Sequence, residues 1–109
     1  MNNKKVGKRT VKLQHMPTII SAASIVGPKE GKGPLRDYFD KVLDDDLHGE
    51  KTWELAECKM MKDTIDLAVK KSDKGMKEID YLIGGDLINQ IWPFSFAARD
   101  LDIPFIGVY

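Results

Sequence analysis

The sequence has little cysteine and no long apolar run. A single cysteine, Cys58, excludes an internal disulfide framework and is typical of a reducing compartment. No apolar stretch approaches the ~20 residues of a membrane-spanning helix, and the N-terminal residues lead into no apolar segment of the kind found in secretory signals. We therefore expect a soluble, cytoplasmic protein, or one held at a membrane only through a partner.

A net charge is also absent. The 17 basic residues balance the 17 acidic ones, so no overall field steers the chain toward nucleic acid or acidic lipid. The local exceptions are the acidic run Asp44–Asp46 and a basic N-terminus, which contains Lys4, Lys5, Lys8, Arg9 and Lys12. We interpret both as solvated surface rather than binding sites, and we expect no nucleic-acid partner.

The apolar segments of the 109 residues predict an α/β fold. The predicted strands and helices alternate over most of the chain: strands at 10–14, 18–26, 79–84 and 103–109, and helices at 36–43, 52–71 and 93–101. Thr52 is a candidate N-cap for the longest helix. Helical crossovers between strands favour parallel pairing, so we expect the last three strands to be neighbours in one mostly parallel sheet with helices packed on it.

Few residues in this chain suggest chemistry. His15 and His48 lie in different predicted loops, away from other metal-ligand residue types, so a metal site is not expected. Cys58 lies in the middle of the long helix, where we interpret it as a packing residue rather than a nucleophile. Glu57 falls within the apolar arc of that helix. It is either a buried functional carboxylate or a residue that reaches solvent or a backbone amide, and the second interpretation is favoured.

The stretch "GGDLINQIWP", Gly84–Pro93, is the best candidate site. It follows the carboxyl end of a predicted parallel strand, where open α/β sheets bind their ligands. Asp86, Asn89 and Gln90 supply a carboxylate and two amides. In the alternative interpretation, Asp86 caps a helical turn that begins at Leu87 and the amides satisfy loop backbone. Composition alone favours that alternative.

Three stretches resemble a known family in order and spacing: "VGPKEGKGPLRDYFD", "KTWELAECKMM" and "IDYLIGGDLINQ…AARDLDIPFIGVY". They are similar to the N-terminal part of the stage V sporulation protein AD family of spore-forming bacteria. The resemblance implies a thiolase-like fold, related to ketoacyl-carrier-protein synthase III. Residues 1–109 would be the N-terminal βαβαβ portion, truncated before a turn that carries the nucleophile-position cysteine.

The resemblance also implies a function. The family is expected to bind dipicolinic acid without catalysis, with calcium as part of the ligand, for uptake into and release from the spore. The implied partners are a second copy of the chain and the other stage V sporulation A membrane proteins, with a location in the cytoplasm or on the spore inner membrane. Asp86, Asn89 and Gln90 would line the ligand pocket, with Lys29 as a further candidate. No cofactor or resident metal is implied.

Two other functions stay open. An acyltransferase or condensing enzyme of the thiolase or synthase III type would be inactive in this truncated form, because its nucleophile turn is missing. A small stand-alone interaction module would instead be a stable monomer. If the chain folds alone, the apolar terminal strand predicts self-association through its edge.

Overall fold

The computed structural model describes residues 4–86, 88 and 91–108. Within these residues the chain forms six short strands and two α-helices, which confirms the α/β class. The elements, in chain order, are β1 (Lys5–Val6), β2 (Thr10–Val11), β3 (Ile25–Val26), β4 (Lys41–Val42), α1 (Trp53–Lys71), β5 (Leu82–Gly84), α2 (Trp92–Leu101) and β6 (Phe105–Gly107). In the described part of the chain, no helix is long and apolar enough to cross a membrane.

Helix α1 follows the sequence prediction closely. It begins after Thr52, whose side-chain oxygen accepts a hydrogen bond from the Leu55 amide at 3.2 Å. This contact satisfies one of the amides that a helix leaves without a partner in its first turn. The buried residues Ala56 and Cys58 lie near the start of the helix. Cys58 lines the cleft between this helix and α2.

Strands β5 and β6 form the central unit together with α2. They pair in parallel, with Leu82 opposite Phe105 and Ile83 opposite Ile106. Helix α2 packs against this pair through Phe94, whose ring lies 4.9 Å from that of Phe105. The parallel pairing of these two segments and the helix between them agree with the sequence prediction.

The segment after the glycine-rich loop differs from the prediction. The predicted helix at 36–43 is wrong: a short 3-10 turn, Arg36–Tyr38, is followed by β4, which pairs in parallel with β3. Asp40 explains the change, because its carboxylate accepts hydrogen bonds from the Ser24 amide at 2.8 Å and from Lys71 Nζ at 2.7 Å. These contacts draw the chain toward β3 and the end of α1, and compete with helical hydrogen bonding.

The expected single sheet is not what the structure shows. Within the described residues there are three separate two-stranded sheets: the antiparallel β1–β2 hairpin and the parallel pairs β3–β4 and β5–β6. The predicted strand at 18–26 is reduced to Ile25–Val26. In the described structure, residues 18–20 are exposed and pair with no other strand. A thiolase-like arrangement therefore stays a prediction for this chain.

The core is small and lies between α1, α2 and the β5–β6 pair. It consists of a few buried apolar side chains: Leu43, Ala56, Cys58, Phe94, Ala97, Ala98 and Ile103. The opposite face of β5–β6 is uncovered, with Ile83 and Val108 63% and 58% exposed. The radius of gyration of 16.5 Å exceeds the ~13 Å expected of a compact domain of this length, so the fold is open.

Candidate functional site

The turn from β5 to α2 begins with two glycines that let the backbone and an aromatic ring come together. Gly84 ends β5 directly beneath Phe94, and a Cβ placed on Gly84 would lie 2.8 and 3.0 Å from two carbons of that ring. Real Cβ atoms do not approach other atoms so closely. A glycine is therefore needed here for packing, and it brings the start of α2 down onto the end of the strand.

Asp86 caps helix α2 from a distance along the chain. Its side chain is 7% exposed, and its Oδ2 accepts a hydrogen bond from the Phe94 amide at 3.3 Å. Ile91, which immediately precedes the helix, provides no side-chain cap, and Pro93 has no amide hydrogen to satisfy. Asp86 therefore supplies the acceptor and the negative charge that a helix N-terminus favours.

The capping contact uses only one of the two Asp86 oxygens. The other, Oδ1, is buried and has no hydrogen-bond partner among the residues that the structure describes. Burying a carboxylate oxygen without a partner is unfavourable. Among the described residues, the turn therefore holds one buried carboxylate oxygen whose hydrogen-bonding capacity is unused.

Backbone strain marks the same turn. Ile91 adopts φ +81°, in the left-handed region that β-branched residues almost never occupy. Such a conformation costs on the order of 1–3 kcal/mol and is most often found at binding and catalytic sites. This strain sets the direction in which the chain enters α2.

The other predicted site residues are not brought together with Asp86. Lys29 is exposed and precedes the 3-10 turn Glu30–Lys32, and its ammonium makes no hydrogen bond or ion pair with any residue in the described ranges. Asn89 and Gln90 lie outside the described residues, as does Leu87, the start of the helical turn in the alternative interpretation. The geometry of the turn is thus known through Asp86 and the residues of α2.

A cavity of about 370 Å³ lies beside the turn, between α1 and the ends of β3 and β5. Its lining is mostly apolar and includes two methionines: Ile25, Glu57, Met60, Met61, Thr64, Ile65, Gly85 and Phe94. Glu57 is half-buried there and lies against the cavity, and both interpretations of this carboxylate stay open. The apolar arc of α1 is the signal that could have located this cavity.

A second cleft, of about 560 Å³, lies between α1 and α2 and is lined by charged pairs. Lys62 Nζ lies 3.0 Å from Asp100 Oδ2, and Lys59 Nζ lies 3.6 Å from Glu50 Oε1. The hydrogen bond between Lys62 and Asp100 raises the pKa of the lysine and lowers the pKa of the aspartate. Because each cation already has an acidic partner, the cleft is an interhelical contact rather than an anion site.

His48 makes a contact that the sequence did not indicate. Its Nε2 lies 2.7 Å from Asp63 Oδ2, across 15 residues of sequence. Lys59 Nζ donates to the His48 carbonyl at 2.8 Å and fixes the same loop against α1. In the described ranges no three His, Cys, Asp or Glu side chains are grouped as metal ligands, so this histidine fastens a loop.

Cys58 has the properties of a packing residue. Its side chain is 7% exposed, and burial raises the pKa of its thiol above the usual 9.0. A thiol with a raised pKa is protonated at neutral pH and is a poor nucleophile.

Comparison with known proteins identifies the family of this chain. The family model for stage V sporulation protein AD matches residues 7–109. Stage V sporulation protein AD of Bacillus subtilis (strain 168) is 39% identical over 106 residues, which cover 97% of this chain and 31% of the relative. The chain thus spans about a third of the length of the curated relative that it matches. It belongs to the stage V sporulation protein AD family.

Proposed function

We propose that this sporulation-family chain forms part of a binding site for dipicolinic acid, taken up into the spore and released from it as the calcium complex. The observation that carries the proposal is the position of Asp86. Its buried Oδ1 lies at the carboxyl end of a parallel strand, the place where open α/β sheets bind ligands. Family membership supplies the sporulation context.

The adjoining cavity supports a small, flat ligand. Its volume of about 370 Å³ falls within the range of ligand pockets, ~300–1,000 Å³. Phe94 and the methionines offer apolar contacts for an aromatic ring. Glu57 is the one charged residue on the described lining, and it is acidic. A free dianion would be repelled by Glu57 and Asp86, so the proposed ligand carries calcium, with Asp86 directed at the cation.

We also propose binding rather than catalysis as the role of these residues. The cysteine of this chain is buried and its pKa is raised, which is unfavourable for acyl transfer. The thiolase-like arrangement implied by the resemblance belongs to this proposal as well. No resident cofactor is proposed, and the calcium arrives and leaves with the ligand.

The test is a set of thermal melts of the chain with calcium dipicolinate. Calcium benzene-1,3-dicarboxylate is the matched ligand control, because it keeps the two carboxylates and lacks the ring nitrogen. An upward shift of the melting temperature with dipicolinate alone is expected, and Asp86→Asn should reduce it. Asp80→Asn, at an exposed aspartate before β5, should leave the shift unchanged, with each variant compared with its own ligand-free melt.

Two results would contradict the proposal for these residues. A cooperative melt that ignores calcium dipicolinate would show that the described turn and cavity do not form a binding site. Equal shifts with both dicarboxylates would show that the chain responds to calcium or to aromatic dicarboxylates in general and does not recognise the pyridine ring.

We propose two partners for the chain: a second copy of itself and the other stage V sporulation A membrane proteins. The uncovered face of β5–β6, with Ile83, Ile106 and Val108 exposed, supports self-association. Light scattering over a range of concentrations should show dimers, and Val108→Lys should shift the population toward monomer. A monomer at the highest concentration would contradict the dimer.

A further inference from the structure

The balanced total charge conceals a strongly uneven distribution along the chain. The first acidic residue is Glu30, so all 17 acidic residues follow the N-terminal segment. That segment carries a cluster of cations in and beside the β1–β2 hairpin: Lys4, Lys5, Lys8, Arg9 and Lys12. The hairpin is therefore strongly positive, while the rest of the chain has a net negative charge.

The hairpin is an ordered structure that presents these cations to solvent. Lys5–Val6 and Thr10–Val11 pair in antiparallel register, and the Lys12 amide donates to the Lys4 carbonyl at 2.7 Å. Gly7 allows the tight turn with φ +73°, which leaves Lys8 and Arg9 at the tip. No ion pair in the described ranges involves Lys8, Arg9 or Lys12.

Apolar side chains accompany the cations on the same segment. Val6, Val11 and Leu13 are 54%, 63% and 46% exposed, and Met16 is 78% exposed. Isolated exposed apolar residues are ordinary. A run of them interleaved with cations, on a segment apart from the small core, forms a surface that is both basic and apolar.

We propose that this basic hairpin, residues 4–16, is a docking surface for an anionic lipid bilayer. Each Lys or Arg near such a surface contributes about 1 kcal/mol of attraction, which corresponds to about a fivefold change in affinity. The exposed aliphatic residues can enter the boundary between headgroups and acyl chains. The net negative remainder of the chain is repelled by the same surface, so the molecule is oriented with its hairpin toward the lipid.

The chemistry of the segment favours lipid over nucleic acid. No aromatic residue precedes Tyr38, so the hairpin lacks the stacking side chains on which single-stranded nucleic acid is bound. Exposed aliphatic side chains stay largely in contact with water beside a phosphate backbone. A bilayer removes their apolar surface from water, which is favourable. Docking of the hairpin is independent of dipicolinate binding, because residues 4–16 include no residue of the turn or the cavity.

The experiment is co-sedimentation of the chain with vesicles. One set is pure phosphatidylcholine, and the other contains equal parts of phosphatidylcholine and phosphatidylglycerol. Binding is expected with the anionic vesicles alone and should weaken as salt is raised. Lys8→Gln with Arg9→Gln should lower the affinity for anionic vesicles about 25-fold. Leu13→Ser with Met16→Ser, made in the parent chain, should also lower this affinity although the charge is unchanged.

The matched control is Lys74→Gln with Lys77→Gln, which removes the same charge from an exposed segment that also contains Glu78 and Asp80. It should leave the affinity within about twofold of the original, because its charges lie outside the cluster. Circular dichroism establishes that each variant keeps the helical content of the parent.

Three outcomes would overturn the proposal. The first is an absence of binding to anionic vesicles at low salt. The second is equal weakening by the hairpin variant and by the control, which would indicate a general charge effect. The third is tighter binding to a duplex oligonucleotide than to anionic vesicles at the same salt, which would assign the hairpin to nucleic acid.

Discussion

The contact between Gly84 and Phe94 predicts that Gly84→Ala lowers the free energy of unfolding of the parent chain. The same substitution is expected to raise it when Phe94 is replaced by alanine. In the parent chain, Gly84→Ala places a methyl group 2.8 and 3.0 Å from ring carbons of Phe94. The ring cannot withdraw freely, because Phe105 lies 4.9 Å away on β6. Overpacking of this kind costs about 1–3 kcal/mol, and we expect a loss of about 2 kcal/mol in the free energy of unfolding.

The same substitution should stabilise a chain that lacks the ring. With Phe94→Ala the obstruction is gone, and alanine in a strand is favoured over glycine by about 0.5–1 kcal/mol because it loses less backbone entropy on folding. The coupling between the two positions is then about 2.5–3 kcal/mol, at the upper end for residues in contact. If Gly84→Ala destabilises the parent chain and stabilises the Phe94→Ala chain, the Phe94 ring is the cause of the destabilisation.

The assay is equilibrium urea denaturation of the four chains of this cycle. Phe94→Ala alone removes a buried aromatic ring and costs about 3–5 kcal/mol, so all four chains are measured in the same concentration of sucrose, which stabilises folded states. Gly75→Ala is the control, because its Cβ would meet Glu78 Oε2 at an ordinary 3.7 Å. Its effect should stay within about 0.5 kcal/mol. A neutral Gly84→Ala, or the same loss in both backgrounds, would refute the reasoning.

Three further predictions concern the turn before α2 and an ion pair near the end of that helix. Ile91→Gly should raise the free energy of unfolding by about 1 kcal/mol, since glycine adopts φ +81° without strain, whereas Ile20→Gly, at an ordinary φ, should not. Asp86→Ala should lower the free energy of unfolding by about 0.5–2 kcal/mol, because the helix loses its cap. Asp86→Asn should lower it less, because the asparagine side-chain oxygen can still accept a hydrogen bond from the Phe94 amide. Equal losses for the two variants in urea denaturation would contradict this. The pKa of Asp100 is lowered from 3.8, first by its hydrogen bond from Lys62, so its contribution to stability is present above that value and is lost as the pH falls through the lowered pKa. Between about pH 5 and pH 2, denaturation should show a steeper loss of stability for the parent than for Asp100→Asn, and parallel curves would contradict the assignment.

Elements with a strong local signal were predicted correctly from the sequence. Helix α1 has an apolar arc at helical spacing and a capping Thr52, and the structure places it at Trp53–Lys71 with that cap. Gly84 and Phe105 lie in apolar segments on either side of a helix, and those segments form the parallel β5–β6 pair. Each of these signals depends on neighbouring residues, which a sequence displays directly.

Elements that depend on distant contacts were not predicted. Residues 36–43 have a helical pattern, but Asp40 binds Ser24 and Lys71, and Val42 pairs with Val26. These partners lie 16 to 31 residues away. Tertiary hydrogen bonds and strand pairing outweigh a helix propensity that differs little between residue types.

For the candidate site, the sequence by itself determined that a glycine pair and an aspartate follow a buried strand. The sequence left two roles open for Asp86, as a helix cap or as a ligand contact. Only the tertiary structure shows that one oxygen caps α2 at Phe94 while the other is buried without a partner in the described chain. The difference is physical: strand and helix preferences arise within a few residues, whereas the environment of a carboxylate is set by whatever the fold brings against it.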